Sequence, residues 1–144
     1  MATKIEYYSQ MAKDTAVDIT GSHQKWLSFL DTASRIYKYP YHEQILIHAQ
    51  RPEATACASY EVWNKYMGRY ILRGSQGIAL LDTSGESMKI KYVFDIADTG
   101  TTEHSRSLNL WEYRDEHEAA VRTALTSIYA TGGITLADQL DVTA

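Results

Sequence analysis

The side chains in this sequence that could do chemistry are mainly aromatic and basic. Eleven of the 144 residues are tyrosine and three are tryptophan. Several of these rings stand beside cationic or amide side chains, as in Tyr37-Lys38-Tyr39, Trp63-Asn64-Lys65-Tyr66, Arg69-Tyr70 and Lys91-Tyr92. Unpaired bases stack on aromatic rings, which contributes about 1–3 kcal/mol per base, while Lys and Arg follow the phosphates. The pattern indicates a single-stranded nucleic acid as ligand, with burial in the core as the alternative for about half of the rings.

Residue patterns typical of catalysis or metal binding are missing from the sequence. The five histidines include no His-x-x-x-His pair and there is no Cys-x-x-Cys, so a zinc site has no sequence support. The glycines around Gly74 lack the Lys-Ser/Thr of a phosphate loop, because Ser75-Gln76 follows instead. Cys57, between two alanines, is interpreted as a small core residue. We therefore predict a non-catalytic protein without cofactor or metal.

The charge is unevenly distributed along the chain, whose net charge is −4. Residues 22–92 contain nine Lys/Arg against six Asp/Glu, whereas residues 93–144 contain three Arg against nine Asp/Glu. The middle segment could supply the basic face that a nucleic-acid binder needs. The acidic C-terminal third supports another hypothesis, a protein-interaction module or antidefence inhibitor that contacts host defence or conjugation proteins. Residues 95–118, with seven acids and two arginines, come nearest to a DNA mimic.

Length and hydropathy predict one cytoplasmic domain over residues 1–144. A chain of this size can bury a core of its own. No apolar run approaches the ~18 residues that a membrane span needs, and the first residues lack the apolar core of a signal peptide. The single cysteine, Cys57, fits a reducing compartment. We expect no membrane partner.

Apolar periodicity predicts two helices in the first forty residues. The first covers residues 4–19. Ser22 is placed to cap the second, which ends at Tyr39-Pro40 because the residue before proline is kept out of the α region. The expected buried stripe of this second helix is Trp26, Phe29, Leu30, Ala33, Ile36 and Tyr37.

Two further helices are predicted from proline and capping signals. Pro40 is suited to begin one, and Pro52 closes it. Ser59 can cap a short helix that runs through Met67, with Gly68 just past its C-terminal end. Residues 53–58 fit either a helix or a turn.

The remaining pattern predicts strands, a loop and a last helix. Short apolar runs at 70–72 and 78–81, and an alternating run at 88–94, predict an antiparallel sheet of two or three strands within residues 70–95. Lys89 and Lys91 are expected on its outer face. A polar loop over residues 98–109 and a C-terminal helix over 112–130 follow, and a further helix start at 136–140 suggests a fragment of a longer polypeptide. The expected fold is α+β, with several short helices packed on a small antiparallel sheet.

One stretch, residues 26–81, carries a recognisable motif order. It contains Trp26 and Phe29, Tyr39-Pro40-Tyr41, Gln44-Ile45-Leu46, Gln50-Arg51-Pro52-x-Ala54-Thr55, Trp63, Gly68-Arg69, Arg73-Gly74 and Gly77-Ile78-Ala79. This stretch resembles the N-terminal domain of ArdC-type antirestriction proteins, a single-stranded-DNA-binding domain carried by plasmids and conjugative elements. The flanks, including residues 92–99 and Leu110-Trp111, resemble the N-terminal region of large conjugative-transposon proteins. Ser75-Gln76 departs from the acidic-basic pair of that pattern, and the metalloprotease domain of ArdC proteins has no counterpart.

Residue chemistry and resemblance together predict a site for single-stranded DNA in a protein of a mobile genetic element. In this hypothesis Tyr39, Tyr41 and Trp63 stack on bases, although the sequence leaves Trp63 open between contact and core. Gln44 and Gln50 contact the DNA backbone or base edges. The expected phosphate contacts are Arg51, Lys65, Arg69, Arg73, Lys89 and Lys91.

Overall fold

The computed structural model describes residues 3–108 and 114–130. Contacts within the chain divide it into two compact units, Met1–Asn109 and Leu110–Ala144. Short helices and small antiparallel sheets make up the first unit, and a helix lies in the second. The predicted α+β class is confirmed. Within the described ranges, no helix combines the length and apolar character that crossing a membrane requires.

Three α-helices open the first unit: α1 (Lys4–Ile19), α2 (His23–Arg35) and α3 (Tyr41–Gln50). Local capping sets their ends. Thr3 and Glu6 form a reciprocal capping box at the start of α1. The Ser22 hydroxyl accepts the Lys25 N–H at 3.1 Å, as the sequence predicts. Pro40 is the N-cap of α3, and that helix ends two residues before Pro52.

A π-helical turn, Val62–Tyr66, follows α3. Ser59 accepts the Val62 N–H at 3.3 Å, and Gly68 beyond the turn has φ +65°, the left-handed conformation that glycine adopts without strain. The short helix predicted between Ser59 and Met67 is therefore present, although it is wound more widely than an α-helix. Residues 53–58, left open by the sequence, include a two-residue strand.

Within residues 3–108, five short strands form two sheets: β1 (Cys57–Ala58), β2 (Tyr70–Ile71), β3 (Ile78–Asp82), β4 (Lys89–Asp95) and β5 (Thr99–Gly100). The larger sheet has the order β1-β4-β3 and is antiparallel throughout, and β3 and β4 form the predicted hairpin. The sequence placed Tyr70–Ile71 in this sheet and residues 98–109 in a loop. The first expectation is wrong, because β2 pairs with β5 in a second sheet. The second is wrong only at residues 98–100, where a 3-10 turn ends and β5 follows, since residues 101–108 contain neither helix nor strand. The Tyr70 ring lies over Gly100, where an added Cβ would collide with the outer end of the ring and displace it.

The core lies where α1 and α3 pack on β3 and β4. Its main cluster is Ile36, Leu46, Ile47, Ala54, Ile78, Leu80, Leu81 and Val93, and a second cluster joins Ile19, Phe29 and Ile45. The broad stripe predicted for α2 is wrong in part. Phe29 and Ile36 are buried, but Trp26, Leu30 and Tyr37 are 36%, 42% and 59% exposed, because only a narrow row of α2 meets the other helices. The predicted end of this helix at Tyr39-Pro40 is also wrong, because α2 stops at Arg35.

The second unit contains a 3-10 turn, Asp115–His117, followed by α4 (Glu118–Ala130). An Arg122–Glu118 ion pair of 3.0 Å spans one turn of α4. The C-terminal helix predicted for 112–130 is thus present from Glu118. The Leu110-Trp111 pair and the helix start predicted at 136–140 lie outside the described residues.

Candidate nucleic-acid interface

The residues predicted to contact DNA lie in different parts of the first unit. Tyr39 was expected to be exposed at an edge, and this is wrong. Its hydroxyl donates to the Cys57 carbonyl at 2.9 Å, and its ring packs against the main core cluster. Burial raises the pKa of Tyr39, and the charges of Cys57 and Glu43 add to the effect. Tyr41 is 50% exposed, with its ring edge-on to Phe29 at 5.7 Å between centroids.

Lys91 and Gln44 are engaged near the start of α3. The Lys91 ammonium lies 2.8 Å from a carboxylate oxygen of Glu43, a residue only 7% exposed. Lys91 was expected on the outer face of the sheet. This is wrong, because its side chain reaches α3 and its charge is matched there. The Gln44 amide donates to the Ile36 carbonyl at 3.4 Å, and Lys89 is exposed in register with Asp82.

Gln50 and Arg51 use their polar groups within the fold. The Gln50 carboxamide donates to the carbonyl of Ala79 at 2.8 Å and accepts its N–H at 2.9 Å, so it covers the edge of β3 as a neighbouring strand would. Arg51 forms ion pairs with Asp98 and with Glu53, the latter at 3.3 Å. Binding a nucleic acid through these two side chains would require breaking bonds that hold α3 to the rest of the unit.

Trp63 belongs to the core. It is 2% exposed, and its indole N–H donates to the Phe94 carbonyl at 2.8 Å. The expectation that this ring stacks on a base is wrong, because neither ring face is accessible in the folded unit. The alternative that the sequence left open, a core tryptophan, is the correct one.

Lys65, Arg69 and Arg73 lie along one segment that hydrogen bonds tie to residues 98–106. The Leu72 N–H donates to the Asp98 carbonyl at 2.9 Å, and the Arg106 N–H donates to the Met67 carbonyl at 2.9 Å. The Ser105 hydroxyl donates to the Gly68 carbonyl at 2.7 Å. Together with the β2–β5 ladder, these bonds hold residues 67–72 and 98–106 side by side.

Rings and cations alternate along this paired segment, and all of them except the half-buried Arg69 are exposed. The β2–β5 register places Tyr70 over Gly100 and Arg69 toward Thr99, on opposite faces of the ladder. We call the set the Tyr–Arg surface: Lys65, Tyr66, Arg69, Tyr70, Arg73 and Arg106. Tyr66 and Tyr70 are 57% and 46% exposed. The Lys65 ammonium lies 6.0 Å from the centre of the Tyr66 ring, at the outer limit of a cation–π contact. Arg73 and the Arg106 side chain are exposed, and no carboxylate of the described ranges lies within 4 Å of them.

The Tyr–Arg surface carries more cationic than exposed acidic side chains. In residues 61–73 and 98–106, which contain this surface, the exposed acids are Glu61 and Glu103. Glu103 lies 3.3 Å from a ring nitrogen of His104. The Asp98 carboxylate is held by Arg51. Four cations therefore stand against two exposed acids, which suits an anionic ligand.

Three members of this surface, Tyr66, Tyr70 and Arg106, were not among the predicted contacts. The ring–cation pairs Lys65-Tyr66 and Arg69-Tyr70 are visible in the sequence and were a usable signal for the tyrosines. Arg106 gives no such signal, because its approach to Met67 depends on pairing between segments more than thirty residues apart.

Arg69 has an unusual environment within the surface. It is half-buried, and one terminal N–H donates to the Thr99 hydroxyl at 3.3 Å. That hydroxyl donates in turn to the Ile96 carbonyl at 2.7 Å. The Nε atom of Arg69 is buried without a hydrogen-bond partner among the described residues.

Residues 3–108 and 114–130 contain neither a reactive thiol nor a cluster of metal ligands. Burial raises the pKa of the Cys57 thiol to about 12, with the Asp95 charge adding to the effect, so this thiol is a poor nucleophile at neutral pH. No group of three or more His, Cys, Asp and Glu side chains in these ranges is placed to hold a metal ion.

Comparison with known proteins identifies no relative of this chain. No protein-family model, curated protein or solved structure matches the chain. The resemblance of residues 26–81 to the N-terminal domain of ArdC-type proteins therefore remains a prediction from sequence.

Proposed function

We propose that this chain is a non-catalytic domain that binds single-stranded DNA through the Tyr–Arg surface. The observation that carries the proposal is the alternation of exposed tyrosines with cations that lack acidic partners, on two segments joined by hydrogen bonds. The resemblance to ArdC-type N-terminal domains supports the same function and suggests a cytoplasmic protein of a mobile genetic element, active in conjugation or antirestriction.

Exposed rings favour an unpaired strand over a duplex. The faces of bases in a duplex are covered by their neighbours, whereas a single strand can place them on Tyr66 and Tyr70. Lys65, Arg73 and Arg106 would contact phosphates, which carry no sequence information. We therefore expect binding with little sequence preference and strong dependence on salt.

The proposal moves the site away from part of the set predicted from sequence. Tyr39 and Trp63 have too little free ring surface, and Arg51 and Lys91 already have carboxylate partners. Lys65, Arg69 and Arg73 are retained from that set.

The alternative, an acidic protein-interaction surface, is less well supported. Two acids of residues 95–118 are engaged inside the first unit. Asp95 is 3% exposed and accepts the backbone N–H groups of Thr55 and Ala56, and Asp98 pairs with Arg51. Their loss from the surface weakens the likeness of this stretch to a DNA mimic.

Fluorescence anisotropy with a labelled oligothymidylate of about 15 nucleotides tests the proposal. The logarithm of the association constant should fall with the logarithm of salt concentration, with a slope of about −0.7 for each phosphate contacted. An unlabelled single strand should compete better than a duplex of equal length. Absence of binding at low salt would refute the proposal.

A matched pair of variants locates the site. Tyr66→Ala should weaken binding by about 5- to 150-fold, the effect of losing one stacked base. Tyr7→Ala is the control, because Tyr7 is 58% exposed on α1 and lies outside the Tyr–Arg surface. Equal losses in both variants would contradict the location proposed.

A further inference from the structure

The Arg69 guanidinium has few hydrogen-bond partners within the fold. A guanidinium has five N–H donors and is charged at all physiological pH values. In the described residues Arg69 makes one side-chain hydrogen bond, to the Thr99 hydroxyl, and no carboxylate lies within 4 Å of it. Its buried Nε is without a partner. A buried donor in this state destabilises the folded protein and calls for an explanation, such as an ion that binds there.

The other half-buried guanidiniums of the first unit each have carboxylate partners. Arg35 forms an ion pair of 2.6 Å with Asp31 and donates to the carbonyls of Ala54 and Pro52, each at 2.8 Å. Arg51 pairs with two carboxylates. Arg69, with one neutral hydroxyl as partner, is therefore less well paired than either of these two arginines.

The protein groups around Arg69 cannot supply the missing anion. The Thr99 hydroxyl is neutral, and its hydrogen is committed to the Ile96 carbonyl. The 3.3 Å bond from Arg69 to this hydroxyl is longer than usual for N–H···O, so little is lost when it breaks. A phosphate would be a better partner, because its oxygens accept two parallel hydrogen bonds from one guanidinium.

We propose that Arg69 is a phosphate-binding residue that leaves Thr99 and pairs bidentately with a phosphodiester group of the bound strand. This inference rests on the proposed function and names the group that anchors the strand. The guanidinium turns outward on binding, which releases Nε from its buried position. Free phosphate offers the same chemistry, so the test includes both forms.

Proton–nitrogen NMR of the arginine Nε–H groups tests the anchor directly. The Arg69 signal is assigned by its loss in Arg69→Lys. Addition of the oligothymidylate, or of inorganic phosphate, should shift this signal, whereas sodium chloride of equal ionic strength should not. A shift with phosphate but no binding of the oligonucleotide would uphold an anion site and refute the DNA-binding function. Oligonucleotide binding without a shift would refute the role of Arg69 and leave the function standing.

Two variants separate the anchor from a structural role. Arg69→Lys keeps the positive charge but removes the pair of parallel N–H donors. It should weaken oligonucleotide binding about tenfold and leave the salt slope unchanged. Arg122→Lys, at an exposed arginine of α4 outside the surface, is the control and should bind as the wild type does. Arg69→Met should raise the thermal midpoint by about 4 °C, because an unpaired buried donor is removed. A lowered midpoint with unchanged binding would show that Arg69 only supports the fold.

Discussion

The buried carboxylate of Asp95 gives the sharpest stability prediction. Asp95 ends β4 and is 3% exposed. One of its oxygens accepts the N–H groups of Thr55 at 2.9 Å and Ala56 at 3.0 Å, and the other accepts the Ala97 N–H at 3.2 Å. Asp95 therefore fixes both the segment before β1 and the 3-10 turn after β4.

Two substitutions at this position should differ in a defined order. Asp95→Ala leaves three backbone donors without the carboxylate, and at about 1 kcal/mol for each we expect a loss of about 3 kcal/mol in the free energy of unfolding. Asp95→Asn keeps one oxygen for Thr55 and Ala56 but turns an NH₂ group toward Ala97. Its loss should be about 1–2 kcal/mol.

Urea unfolding followed by tryptophan fluorescence measures both losses, since the buried Trp63 bonds to Phe94, the neighbour of Asp95. Asp14→Ala on the exposed face of α1 is the control and should cost less than about 0.5 kcal/mol. A loss below about 1 kcal/mol for Asp95→Ala, or a larger loss for Asn than for Ala, would refute the reasoning.

Two other perturbations test the fold. Gly100→Ala should destabilise the first unit by about 1 kcal/mol, because the added Cβ forces the exposed Tyr70 ring to move aside. Gly85→Ala, which meets only an oxygen at 3.9 Å, should be nearly neutral in the same urea assay. Burial lowers the pKa of His48 below its ordinary 6.5, with the Arg35 charge adding to the effect. The unfolded chain then takes up the proton first, so stability should fall as pH drops through about 6.5, and His48→Gln should make the urea midpoint less dependent on pH between about 7.5 and about 5.5. An equally steep dependence in that variant would assign the effect to other groups.

Local signals in the sequence predicted the helices well. Ser22, Pro40 and Pro52 act on the residues next to them, so the start of α2 and both ends of α3 follow from short-range sterics and capping. The end of α2 does not, because this helix stops at Arg35 rather than at Tyr39-Pro40. The hairpin of β3 and β4 is also local, because one short loop joins its strands. The signals that set these boundaries therefore lie close to them in the sequence.

Tertiary packing decided what the sequence could not. Helical periodicity gave Trp26 and Phe29 the same interpretation, yet only Phe29 is buried. Lys91 has the pattern of an outward strand residue, but Glu43 lies within its reach. The pairing of Tyr70 with Gly100 joins residues thirty positions apart, and the candidate site depends on it. No periodicity within a single element reports such contacts.

The bond between Gln50 and Ala79 also bears on how copies of this protein behave in concentrated solution. β3 is the last strand of its sheet, and such strands can pair with the same strand of another molecule and start aggregation. By holding both backbone groups of Ala79, the second residue of β3, the Gln50 carboxamide removes one pairing point from the free edge of that strand. A single amide side chain thus helps to keep neighbouring molecules from associating edge to edge.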